Sequence, residues 1–300
     1  MRKTSIIKTV LLVSVTALSL TLSTPSSALF GLGKITDMIS SARKASKTIS
    51  EEEEIDIGRK LAATLLGASP LVHDDEIQQY INKVGMWVAL HSERPHLPWR
   101  FGILNTETIN AFATPGGYVF ISKGLFMAMS NEAQLAGVLG HEISHVIEKH
   151  HLNAIQKNAR AEFFGQLYSA SQSEKKKSKA ADFLIDKSKA LYGSGLDKKD
   201  EMDADLSGVV LAARAGYDPY ALLNVLTTID SISDKADAVG LFLSTHPKTS
   251  KRLVNLDQHM DGKMEAYATQ PVKEKRFRQI HAKLGAKKVH RDLSRGLNSF

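Results

Sequence analysis

The chain has 300 residues, no cysteine, and a formal charge of +7. That length allows one large domain or two small ones, with enough apolar content for a core. The absence of cysteine excludes disulfides, thiolate metal sites and cysteine nucleophiles together, so any metal must be held by histidine and carboxylate.

Arg2, Lys3 and Lys8 lead into the apolar run "TVLLVSVTALSLTL". "STPSSA" follows, with Ser26 and Ala28 at the −3 and −1 positions of a signal-peptidase site. This pattern predicts a secretory signal peptide over 1–28, with a mature chain from about Leu29 placed in a periplasm. The run is short for a membrane span, which needs ~20 apolar residues.

Ser50 precedes four glutamates, a helix cap followed by an acidic first turn. Asp74 caps a second predicted helix, whose stripe is Ile77, Tyr80, Ile81, Val84 and Val88. "WRFGILN" and "INAFATPGGYVFISKGLF" read as strands, with Pro115-Gly116-Gly117 as a turn between two arms. They predict a small antiparallel sheet. Beyond Asn131 the pattern is helical, apart from a charged connector over 173–199, read as mobile or partly helical, for which the sequence leaves open a role as a lid. A last helix is predicted after Pro247. The fold class is therefore α+β and mainly helical.

Residues 1–28 carry +3 and residues 261–300 carry +6, leaving about −2 for the body, 29–260. The expected domains are the signal, a body over 29–260 and a basic C-terminal tail or helix over 261–300. The tail is read as a solvated helix that could touch a membrane surface or an acidic partner. No aromatic residues are interleaved with the basic ones, so nucleic acid is not an expected partner.

"GVLGHEISHVIEKHH" carries the chemistry. On a helix His141 and His145 fall about 40° apart, one turn along, and can reach one Zn²⁺. Glu142 points about 100° away, where it can act as a general base without ligating. The apolar stripe around the histidines argues against a surface helix. Gly140 leaves room for a substrate or the sheet to approach. A catalytic zinc needs a third protein ligand. Glu201 and Asp205 in "DKKDEMDADLSG" stand one turn apart, so one carboxylate can bind zinc while the other orients a ligating imidazole.

Four segments together resemble the HtpX/CAAX-prenyl-protease family of zinc metallopeptidases, peptidase family forty-eight: "NAFATPGGYVFISKGLF", "NEAQLAGVLGHEISHVIEKH", "EMDAD" and "STHPKTSKR". The resemblance spans roughly residues 50–260. It implies one Zn²⁺ per chain held by His141, His145 and Glu201, with Glu142 as catalytic base and Asp205 beside the site. A zincin-like protease domain is implied, with its sheet beside the H-E-x-x-H helix. His246 in the Thr-His-Pro segment is expected either to stabilise the tetrahedral intermediate or to be a reversible fourth zinc ligand. Arg252 either orients His246 or a carboxylate, or is a surface arginine. His150 and His151 lie past the helix face that reaches the metal and are not expected ligands.

With no predicted span after the signal, the chain resembles the secreted, periplasmic branch of that family. Some of that branch carry a C-terminal tetratricopeptide-repeat domain, which is not expected here. The expected activity is endopeptidase cleavage of unfolded or misassembled envelope proteins, as in protein quality control. "TPGGYVFIS" would offer the edge strand on which a peptide substrate pairs. The alternative is a chaperone-like or binding protein with a masked zinc site.

Overall fold

Ser50 starts the first helix by a reciprocal cap. Its hydroxyl accepts from the Glu53 amide (3.2 Å), and the Glu53 carboxylate accepts from the Ser50 amide (3.1 Å). In the computed structural model, residues 49–158, 196–232, 239–246, 249–268 and 274–297 are described. The predicted signal peptide, the region 159–172 and residues 173–195 of the charged connector lie outside them. Among the described residues no helix is long and apolar enough to cross a membrane.

The elements in chain order are α1 (Glu51–Ala68), α2 (Asp75–Ala89), β1 (Arg100–Leu104), β2 (Ala111–Thr114), β3 (Tyr118–Ser122), α3 (Lys123–Ala128), α4 (Glu132–Ile147) and α5 (His150–Asn158). After these come α6 (Lys198–Arg214), α7 (Ala221–Ile232), α8 (Gly240–Thr245), α9 (Thr249–Met260), a short 3₁₀ turn (Glu265–Tyr267) and α10 (Glu274–Leu297). Asp74 caps α2 as predicted, accepting from the amides of Glu76 and Ile77. The stripe Ile77, Tyr80, Ile81, Val84 and Val88 is buried.

The sheet order is β1-β3-β2. β2 pairs antiparallel with β3 across the Pro115-Gly116-Gly117 turn, where Gly116 (φ 75°) and Gly117 (φ 100°) take up left-handed backbone. β1, however, pairs parallel with β3, in register from Arg100 with Tyr118 to Leu104 with Ser122. The sheet is thus mixed, not antiparallel throughout. The chain runs from β1 past β3's position to lay β2 at the far edge, then returns to fill the middle.

Side chains alternate across the sheet with period two. Ile103, Ala111, Ala113, Val119 and Ile121 face the main core with α2 and α4, whereas Leu104, Phe112 and Phe120 face a smaller cluster with Leu61 and Leu65 of α1. α4 is the central element. Every residue from Glu132 to Val146 is buried, so it is enclosed all round and not merely along one apolar stripe. α6 crosses it closely, through a glycine on each helix. A Cβ on Gly140 would sit 2.7 Å from the Gly208 carbonyl oxygen, and one on Gly208 would sit 2.6 Å from the His141 nitrogen. Gly140 therefore makes room for α6, not for a substrate or the sheet.

The described residues all fall within one compact unit, Ala45–Phe300. The basic C-terminal segment corrects an expectation. Its helix α10 is not simply solvated, because Phe277, Ile280 and Leu284 recur at helical spacing and are buried in the main core. The Phe277 ring packs against Phe126 at 4.9 Å between ring centres, with the two planes tilted by 35°.

Candidate active site

The close crossing of α4 and α6 brings two pairs of side chains face to face. α4 contributes His141 and His145 one turn apart, and α6 contributes Glu201 and Asp205 one turn apart. His246, at the end of α8, closes the group. His141, His145, Glu201 and His246 each offer a ligand atom, all within 4.8 Å of one another, and all four residues are buried.

Each histidine is held from behind. His141 Nδ1 lies 3.0 Å from Asp205 Oδ1, which places its proton on Nδ1 and leaves Nε2 bare. Asp205 is fixed in turn by Arg252, which donates through Nε (2.8 Å) and Nη2 (2.6 Å). Burial alone would push the Asp205 carboxyl up. The Arg252 guanidinium outweighs it and holds Asp205 below the usual carboxylate range, so it stays ionised and accepts from His141. Arg252 is 2% exposed. It is not a surface arginine, and it orients the carboxylate instead of His246.

His145 Nε2 lies 3.0 Å from His141 Nε2 and 3.4 Å from Glu201 Oε1. Burial lowers the His145 pKa well below its ordinary value, with the His141 imidazole adding to the effect, so the ring is neutral. Glu201 is also fully buried. Burial raises its carboxyl, but His246 and Arg252 outweigh that and bring it down to about 2. His246 Nδ1 donates to both Glu201 oxygens (3.1 and 3.0 Å). Its Nε2 stands 4.0 Å from Glu142 Oε1. Burial opposes charge on His246, yet Glu201 beside it raises its pKa above the ordinary value.

Glu142 is 1% exposed, and its Oε2 has no hydrogen-bond partner among the described residues. Burial raises its carboxyl above the usual range, against the pull of His246 and His141. An orphaned carboxylate oxygen of this kind in a buried polar cluster points to a missing partner. The donor set points the same way. Two imidazole Nε2 atoms 3.0 Å apart, with one Nδ1 committed to Asp205, converge beside an ionised carboxylate. These residues fit a divalent metal that takes nitrogen and oxygen ligands.

A narrow cavity opens beside Glu142, lined by Ala111, Phe112 and Ala113 of β2 together with His151 and His246. The strand bordering the site is therefore β2, at the sheet edge. The stretch "TPGGYVFIS" forms the turn and the central strand β3, which is paired on both sides and cannot take a further strand.

His150 and His151 stand apart from the four-residue donor group. Both are nevertheless buried against it. His150 Nδ1 lies 3.0 Å from His145 Nδ1, and the His151 ring centre lies 5.0 Å from that of His145. Only the histidine doublet itself hinted at this in the sequence.

Residues 75–260, from the first residue of α2 to the last of α9, match the sequence profile of Peptidase family M48. The chain belongs to this family. All the elements that build the site lie within the M48 match. Among curated relatives, the beta-barrel assembly-enhancing protease of Escherichia coli O157:H7 is 32% identical over 219 residues, covering 70% of this chain and 44% of the relative. The protein of that name from Yersinia pestis is 30% identical over 217 residues, with the same two shares. The mitochondrial metalloendopeptidase OMA1 of Arabidopsis thaliana is 30% identical over 182 residues, 61% of this chain and 36% of the relative. The chain thus spans less than half the length of these M48 relatives.

Proposed function

We propose that the chain is a zinc-dependent metalloendopeptidase. The observation that carries the reading is the position of Glu142, a buried carboxylate with an orphaned oxygen beside, but outside, a four-residue donor set. A structural metal has no use for such a group. His141, His145 and Glu201 would hold the ion, and Zn²⁺ suits three N/O ligands of this kind with one position left open. Bound there, it would supply Lewis acidity, polarising the scissile carbonyl and easing loss of a proton from water.

The rest is the work of the chain's own residues. Glu142 takes the proton of the attacking water, and its raised pKa suits it to hold that proton and pass it to the leaving amine. His246, charged through its contact with Glu201, is the donor nearest Glu142 for a developing oxyanion. Asp205 and Arg252 keep His141 in one tautomer and one orientation.

Such a site cuts unfolded or loosely folded polypeptide. Together with the signal-like N-terminus and the names of its relatives, this supports a role in the periplasm on unfolded or misassembled envelope proteins. A second reading follows from His246, which completes the four-donor cluster and is 4% exposed. As a fourth ligand it would mask the metal, leaving a zinc-containing binding or chaperone-like protein.

The test measures bound zinc and casein cleavage for the purified chain, Glu142→Gln and His246→Ala. About one zinc per chain, cleavage abolished in Glu142→Gln with zinc retained, and cleavage raised in His246→Ala are expected for a protease held back by His246. Zinc without cleavage in any form would overturn the endopeptidase reading in favour of the masked site.

A further inference from the structure

On a continuous α-helix, residues five apart lie about 140° apart around the axis, so their side chains do not meet. His145 and His150 are five apart, yet their Nδ1 atoms are 3.0 Å from each other. The contact exists because the helix breaks between them. α4 ends at Ile147, α5 starts at His150, and Lys149 between them has φ 58°. Among the described residues Lys149 is the only one other than glycine in left-handed backbone. Such backbone is disfavoured for a side chain with Cβ, and where it persists the surroundings hold it in place. Here it swings the His150 ring back against His145. Lys149 Nζ lies 3.4 Å from Glu54 Oε2, a further tie on the turn.

We propose that His150 is the positioning residue for His145, fixing its tautomer and ring orientation as Asp205 does for His141. This inference rests on the metal-site reading above. If His145 offers Nε2 to the metal, its own proton sits on Nδ1. The partner of that proton is His150 Nδ1, which must then accept. The His150 proton is consequently on Nε2, where carboxylates wait: Glu148 Oε2 at 3.3 Å and Asp200 Oδ1 at 3.8 Å. Glu148 is in turn fixed by the Ser207 hydroxyl, which donates to its Oε1 at 2.7 Å. The relay runs from His145 through His150 to the Glu148 carboxylate, with the Asp200 carboxylate beside it. His150 is 6% exposed, so water does not compete for its Nδ1. The two metal-binding imidazoles are thereby oriented by different means, one by a carboxylate on α6 and the other by a histidine delivered by a strained turn.

The experiment compares the full chain with His150→Asn, His150→Phe and His150→Ala. Zn²⁺ affinity is measured by competition with a chromogenic chelator, and unfolding of each metal-free protein is followed alongside. Asn keeps an acceptor near the Nδ1 position, whereas Phe keeps the ring volume without one. Loss of an orienting partner costs roughly 10–100-fold in metal affinity. The proposal expects that loss in His150→Phe and His150→Ala, with most of it restored in His150→Asn. A role in packing alone would reverse the order, with Phe retaining affinity and Asn losing it, and that result would overturn the proposal. Wild-type affinity in all three variants would overturn it too. Failure of the parent chain to bind Zn²⁺ would instead remove the metal-site reading, and this inference with it. The visible spectrum of the Co²⁺-loaded proteins gives a second readout, which should shift in His150→Phe and His150→Ala and stay near the parent's in His150→Asn.

Discussion

His151 shows what a histidine-rich core does to stability. Its side chain is 5% exposed, and burial, reinforced by the His246 imidazole, pushes its pKa from 6.5 down to about 3. The sign follows from proton counting. Below pH 6.5 the unfolded chain binds a proton at this ring, and the folded chain does not until about pH 3. Stability conferred by the neutral ring is therefore lost as pH falls through that window, at up to about 1.4 kcal/mol per pH unit. Urea unfolding of the metal-free protein at pH 7.5 and pH 5.5 should show this drop, and His151→Phe should make it shallower. Identical pH dependence in the two proteins would contradict a neutral buried ring. The sequence made His141, Glu142 and His145 legible because helical spacing alone puts such residues together. It made Glu201 and Asp205 legible as a pair for the same reason. His150 was not legible, because its contact depends on a left-handed residue in a lysine, where no glycine announces a break.

At the level of elements, the site is a consequence of two helices crossing without side chains between them. Gly140 and Gly208 let α4 and α6 approach until a Cβ on Gly208 would stand 2.6 Å from the His141 nitrogen. That obstacle is backbone and cannot swing aside. Gly208→Ala must push the helices apart, at about 1–3 kcal/mol for overpacking of this kind. The same displacement carries Glu201 and Asp205 away from the histidines, so Zn²⁺ affinity should fall together with stability. Gly67→Ala is the control. Gly67 lies on α1, which runs from Glu51 to Ala68, and an added Cβ there meets nothing within 4 Å. It should leave affinity unchanged and raise stability by up to about 1 kcal/mol through helix propensity. Equal effects of the two substitutions on zinc binding would show that the crossing does not set the site. The two glycines were visible in the sequence, but their partnership was not, because they stand 68 positions apart. The strand order was hidden in the same way. Alternating residues identify strands, whereas the parallel pairing of β1 with β3 depends on where the chain crosses.

Across the whole molecule, the last helix is joined to the histidine-bearing helix α4 by a buried carboxylate. Glu132 opens α4 and is 0% exposed. It accepts from the Tyr80 hydroxyl of α2 (2.9 Å) and the Tyr217 hydroxyl after α6 (2.8 Å), and from Arg276 of α10. Fixing this carboxylate from three directions steadies the end of α4 opposite the histidines. The apolar side of the same junction is Phe277, 1% exposed and packed against Phe126. Composition pointed to a solvated tail because charge dominates residues 261–300, yet three apolar residues at helical spacing suffice to dock a helix. The two views differ sharply in what they predict for Phe277→Ala. Surface substitutions on a solvated helix stay within about 0.5 kcal/mol. A buried phenylalanine replaced by alanine costs about 3–5 kcal/mol, from lost burial and the cavity left behind. Denaturant unfolding of Phe277→Ala beside Lys275→Ala, an exposed position on the same turn, separates them. A large loss confined to Phe277→Ala would make α10 part of the folding unit that holds α4, and two equally small effects would return it to the status of a tail.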